Sequence, residues 1–143
     1  MATSFTSQTT FNLKNKMKVK TWIKSVIEKE NFKQGEISYI FCSDEKILEI
    51  NKQYLNHDFY TDIITFDYTE NNKINGDIFI SIDRVKDNSE KFECSFEEEL
   101  LRVIIHGVLH LMGYKDHEEK EEKLMRQKEN EAICLYRKMF PQN

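Results

Sequence analysis

The densest apolar run of the chain lies between Leu100 and Met112, "LLRVIIHGVLHLM", where only Arg102, His106 and His110 are strongly polar. A helix that is apolar nearly all round belongs inside a fold. Upstream, Ser95 and Glu98 stand at the spacing of a capping box. Downstream, Gly113 is the residue type that closes helices. The pattern therefore predicts a central buried helix over residues 96–112.

Other segments are less one-sided. "VKTWIKSVIEKENF" places Val19, Trp22, Ile23, Val26 and Ile27 on one helical stripe, with Lys14, Lys16, Lys18, Lys20 and Lys24 as its solvated surroundings. After Gly35, "EISYIFC" reads as a strand. "SDEKILEINKQYL" opens with the N-cap types Ser43 and Asp44 and carries Ile47, Leu48, Tyr54 and Leu55 at helical spacing, with Asn51 as the polar exception. "TDIITFDY" and "GDIFISI" form a predicted strand pair across "TENNKIN". "DRVKDNSEKF" reads as a short helix, and a last amphipathic helix runs through Leu124, Ile133, Tyr136 and Phe140. Residues 3–13 alternate weakly (Phe5, Phe11, Leu13) and are read as a first strand. About four strands and five helices, mixed in order, predict an α/β or α+β fold in which helices pack on a small mixed sheet. No linker divides residues 1–143, so one domain is expected.

Composition narrows the class. A 39% hydrophobic chain of 143 residues can bury a real core. Its formal charge of −4 lacks the basic footprint of a general nucleic-acid binder, although one local site can still hold a strand. No apolar stretch reaches the roughly 18 residues of a membrane span. "MATSFTSQTTFNLKN" has no apolar signal core, so a cytoplasmic protein without membrane contact is expected. Cys42, Cys94 and Cys134 are widely spaced and odd in number, which predicts reduced, buried thiols.

The chemistry concentrates in "HGVLHLMGYKDH", residues 106–117. Side chains at i and i+4 of a helix lie on one face, so His106 and His110 point to one spot. Buried imidazoles need partners, and a divalent cation satisfies both at once. The chain then turns at Gly113 and returns with His117. This predicts a three-histidine zinc site, one ion per chain, with the fourth position left for water. Zinc lowers the pKa of such a water to about 7. Asp116 is placed to orient a ligand from behind. Core histidines satisfied by protein groups are the competing reading, which suits a single histidine better than this set. Zinc peptidases use a similar pair in H-E-x-x-H, some with a third histidine after a glycine. Here Gly107 stands at the glutamate position, and His117 follows His110 one residue later than in that class.

"HGVLHLMGYKDH" also resembles the H-G-x-L-H-L-x-G-Y-D-H signature of the YbeY family. "LEINKQYLNHDFYTDIITFDY" and "NGDIFISIDRV" resemble that family's upstream segments, in order and over roughly residues 44–117. The resemblance implies a metal-dependent, single-strand-specific endoribonuclease acting in 16S rRNA 3′-end processing and ribosome quality control. It further implies zinc on His106, His110 and His117, a groove against "TDIITF", and rRNA precursors and the small ribosomal subunit or its proteins as partners. Two departures stand out. Lys115 reads as an insertion ahead of Asp116 and His117. The family's arginine, which serves phosphate charge, aligns with Leu55, and His57 is the candidate replacement beside His106 and His110 in the catalytic set. An exposed loop histidine is the other reading of His57. Two further functions stay open: a non-catalytic ribosome-assembly factor with structural zinc, and a zinc hydrolase of another substrate.

Overall fold

The structure is a computed structural model in which residues 2–55 and 61–141 are described. In chain order its elements are β1 (Thr3–Ser7), α1 (Lys16–Lys29), β2 (Lys33–Cys42), α2 (Asp44–Tyr54), β3 (Ile63–Asp67), β4 (Lys73–Ser81), α3 (Ile82–Lys91), α4 (Phe96–Leu111) and α5 (Glu119–Met139). The strands form one mixed sheet in the order β1-β2-β4-β3, with β1, β2 and β4 parallel and β3 antiparallel to β4. The expected α/β sheet of four strands with five helices and a central buried helix is what the described residues form.

The first strand is shorter than its alternation predicts. Past Ser7, hydroxyls compete with the ladder. Ser7 Oγ accepts the Thr9 N–H at 3.2 Å, and Thr9 Oγ1 accepts the Phe11 N–H at 3.0 Å. That turn sends Phe11 onto Phe41 and Phe96, with ring centroids 5.2 and 5.7 Å away.

Each helix buries the stripe that its packing selects. In α1 this is the predicted set of Val19, Trp22, Ile23, Val26 and Ile27. Trp22 also donates its indole N–H to the Ala132 carbonyl of α5 at 2.7 Å, which removes the cost of burying that polar edge. In α2 the stripe is Ile47, Ile50 and Asn51, while Tyr54 and Leu55 are exposed. In α5 it is Met125, Glu129, Ala132, Ile133 and Tyr136, and Leu124 points to solvent. Of the three cysteines only Cys42 is buried, where loss of water pushes its thiol up to about 12. Among the described residues no helix is long and apolar enough to cross a membrane.

The main core lies between the sheet and α1, α4 and α5. Ile37, Tyr39 and Phe41 of β2 and Ile74, Ile78 and Ile80 of β4 supply the sheet's side of it. Tyr39 donates its buried hydroxyl to the Ile104 carbonyl of α4 at 2.8 Å. A smaller cluster of Cys42, Ile47, Ile50 and Ile64 fills the other face under α2. Two glycines set how closely α4 and the strands meet. A Cβ at Gly107 would stand 3.0 Å from the Ile63 and Ile78 side chains, and one at Gly76 would stand 2.8 Å from the Phe66 carbonyl and 2.9 Å from Leu111.

At Gly76 part of the obstacle is backbone, which cannot swing aside as a side-chain tip can. We predict that Gly76→Ala destabilises the protein by about 1–3 kcal/mol through overpacking. An unchanged denaturant midpoint would show that β3 yields instead.

Candidate metal centre

The site is built on the last turn of α4 and the loop that follows. At the helix start, Ser95 Oγ accepts the Glu98 N–H at 3.0 Å, and three glutamates in the first turn favour its dipole. The Glu98 carboxylate pairs with Arg137 of α5. At the end, Gly113 is left-handed (φ 102°). Its N–H reaches the His110 carbonyl and the Tyr114 N–H reaches the Leu109 carbonyl, both at 3.0 Å, which is a Schellman closure. The Tyr114 hydroxyl donates to Glu30 at the end of α1, and Lys128 of α5 pairs with the same carboxylate at 3.2 Å. The turn is therefore tied to the first and last helices.

This frame orients both imidazoles. His106 Nδ1 lies 2.6 Å from Glu129 Oε2, and His110 Nδ1 lies 2.9 Å from the Tyr114 carbonyl. With each Nδ1 donating to its oxygen, the Nε2 atoms converge, 2.9 Å apart. Asp116 Oδ2 completes the group at 3.3 Å from His106 Nε2 and 3.5 Å from His110 Nε2. These three donor atoms lie within 4.8 Å of one another.

The third donor in this geometry is Asp116, and His117, expected in that place, is exposed. The reason is local. Beyond the Schellman turn, residues 114–116 have no regular structure. There Asp116 turns toward the two histidines, while Lys115 and His117 on either side of it are exposed. Read without a gap, Asp116 stands six residues after the second histidine, where the H-G-x-L-H-L-x-G-Y-D-H pattern has its last histidine. Lys115 then takes the pattern's aspartate position and no insertion is needed. His57 lies outside the described residues, and Leu55 closes α2 half-open to solvent.

Glu129 is the site residue that periodicity alone does not announce. Its carboxylate is buried and held by Arg102 at 3.1 Å and Arg126 at 3.8 Å. The available signal was a glutamate on the buried stripe of α5, four residues from Met125. Burial disfavours its charge, but the hydrogen bond and charge of His106, with the two arginines, hold it below the usual carboxylate range. His106 is pulled down by burial but raised further by Glu129, Asp116 and Asp62, so it ends above the ordinary imidazole value. His110 ends below it, through burial and the neighbouring His106, against Asp116 and the Tyr114 carbonyl. A proton shared by the pair is thus favoured on His106 over His110.

Two imidazole nitrogens and a carboxylate oxygen facing one point, each ring anchored through its other nitrogen, form a donor set that fits a divalent metal such as zinc. An open cleft of about 580 Å³, lined by His106, Asp116, Lys123, Arg126 and Glu129 among others, adjoins it.

Several known proteins resemble this chain. The family model described as endoribonuclease YbeY matches residues 3–136. Curated relatives bearing that name include one from Parabacteroides distasonis, 58% identical over 84% of each chain. Another, from Flavobacterium johnsoniae, is 51% identical over 93% of this chain and 96% of its own. A solution structure of a Thermotoga maritima protein superposes with a TM-score of 0.68 at 28% identity, covering 96% of this chain and 91% of that one.

Two outcomes follow from the geometry. Glu129→Gln should weaken zinc binding about 10- to 100-fold, the usual effect of losing an outer partner of a ligand histidine; equal affinity in a chelator-competition titration would refute the role. Metal binding must also expel the proton on His106. Zinc affinity should therefore fall about tenfold per pH unit once the pH drops below that group's raised pKa. Calorimetry in buffers of different ionisation enthalpy should show proton release there, and a pH-independent affinity would contradict it.

Proposed function

This chain belongs to the YbeY family of endoribonucleases, hydrolases acting on RNA, and we propose that it cuts single-stranded RNA at the centre formed by His106, His110 and Asp116. The proposed physiological substrate is the 16S rRNA precursor at its 3′ end, in ribosome maturation and quality control. The proposed partner is the small ribosomal subunit or its proteins, in the cytoplasm. The proposed cofactor is one zinc ion per chain.

The observation that carries the reading is the convergence of the two Nε2 atoms and the Asp116 carboxylate while both Nδ1 atoms are engaged. A metal held there supplies Lewis acidity toward a phosphoryl oxygen and acidifies a water at neutral pH. The protein does the rest. Glu129 keeps a proton on His106 Nδ1, the Tyr114 carbonyl keeps one on His110 Nδ1, and Arg102 keeps Glu129 ionised. In this scheme His117 lies outside the ligand set. His57 is the proposed basic group toward phosphate in place of the family's arginine.

The two other readings are less well supported. A structural zinc is normally closed by four protein ligands, and among the described residues this group offers three. A peptidase of the H-E-x-x-H kind needs a glutamate where Gly107 packs against Ile63 and Ile78.

His110→Ala should lower cleavage of a single-stranded RNA by more than about a hundredfold, beyond the loss expected of an outer partner. Circular dichroism and gel filtration should show the variant still folded. Folded, zinc-loaded wild type that cuts no single-stranded RNA would overturn the reading.

A further inference from the structure

We propose that a second cleft beside the metal centre is a nucleotide subsite, in which Phe92 stacks on a base of single-stranded RNA and Arg126 contacts an adjoining phosphate. The inference rests on the RNA-cleaving reading above and concerns how the strand is held.

The cleft measures about 280 Å³. Glu99, Arg102, Val103 and His106 of α4 line it, with Phe92 from the end of α3 and Arg126 from α5. From Glu99 to His106 the helix rises about 10 Å. That is room for two or three stacked nucleotides at about 3.4 Å each. Phe92 lines this cleft and is 54% exposed, a large apolar ring open to solvent. Its N–H closes α3 on the Asn88 carbonyl at 2.9 Å, so the ring is carried by a fixed helix end. Lys91 Nζ lies 5.7 Å from the ring centroid and adds a cation beside it. An exposed aromatic ring with nearby cations is how proteins hold single strands without base-specific hydrogen bonds.

A net charge of −4 gives no general attraction for RNA, so a local cation has to hold the strand. Arg126 lines this cleft and the larger one, together with His106 and Asp116 in each. Its side chain is 59% exposed, with one nitrogen 3.8 Å from Glu129. Of the acids that line the cleft, Glu129 is engaged by His106 and Arg102, and Asp116 faces the two histidines.

The test is binding of a 2′-O-methyl single-stranded oligonucleotide, which needs no turnover, followed by fluorescence anisotropy on zinc-loaded protein. Phe92→Ala should weaken binding about tenfold, within the range for loss of one stacked base, and Phe92→Trp should restore it. Arg126→Gln should weaken binding and flatten the slope of log affinity against log salt by about 0.7. With cleavable RNA, Phe92→Ala should raise KM far more than it lowers kcat. Wild-type affinity in Phe92→Ala, an unchanged salt slope in Arg126→Gln, or no binding by wild type would overturn the subsite. Wild type that binds through these residues yet cuts nothing would count against the nuclease reading alone.

Discussion

Two half-buried imidazoles on the central helix present four ring nitrogens, largely withdrawn from water, and every one of them needs a partner. The fold meets this demand asymmetrically. One nitrogen of each ring is bound to a protein oxygen, the Glu129 carboxylate for His106 and the Tyr114 carbonyl for His110. The other two are left facing each other at 2.9 Å, a separation at which neither can be satisfied by a like neighbour when both are protonated. Asp116 adds a third donor at the same point. Much of the surrounding structure supports that compromise. The Schellman turn places the Tyr114 carbonyl, α5 brings Glu129, and Arg102 compensates the charge that Glu129 carries into the interior.

Placing these groups requires α4 to lie close against the sheet, and small residues make that possible. At Gly76 the Phe66 carbonyl and Leu111 leave no room for a methyl group, and at Gly107 one would press on the Ile63 and Ile78 side chains. The same closeness limits the chemistry. The position that would carry the general base of a zinc peptidase is filled by helix–sheet contact, so the histidine pair is available for phosphodiester chemistry without that competing base.

How much was legible in the sequence varies with how local the determining interaction is. The stripe of α1 and the apolar circumference of α4 follow from periodicity alone, and both were readable residue by residue. So was the pairing of His106 with His110, because a helix fixes i and i+4 on one face. The third donor was not. A loop after a helix carries no period, so nothing in its residue pattern tells whether Asp116 or His117 turns inward. Glu129 was hidden for another reason: its partner lies 23 residues away on a different helix. Apolar type is also an imperfect guide to the stripe: Leu124 of α5 faces solvent while Glu129 is buried. Tyr54 and Leu55 are exposed for a related reason, since α2 buries only a narrow stripe against the sheet.

The distribution of the site along the chain has a consequence for synthesis. His106, His110 and Asp116 emerge together, but the turn that aligns them is tied to Glu30, near the start, and to Lys128, while Glu129 lies on the last helix. Chains fold from the N-terminus as they are made. The histidines therefore leave the ribosome before their outer partners exist in place. Before α5 docks on α1 through Trp22 and Ala132, neither Glu129 nor Lys128 is in place to hold the His106 ring and the turn. Completion of the donor set thus depends on the docking of α5. A hydrolase that acts on RNA would in this way stay unarmed while it is still attached to the machine that makes it.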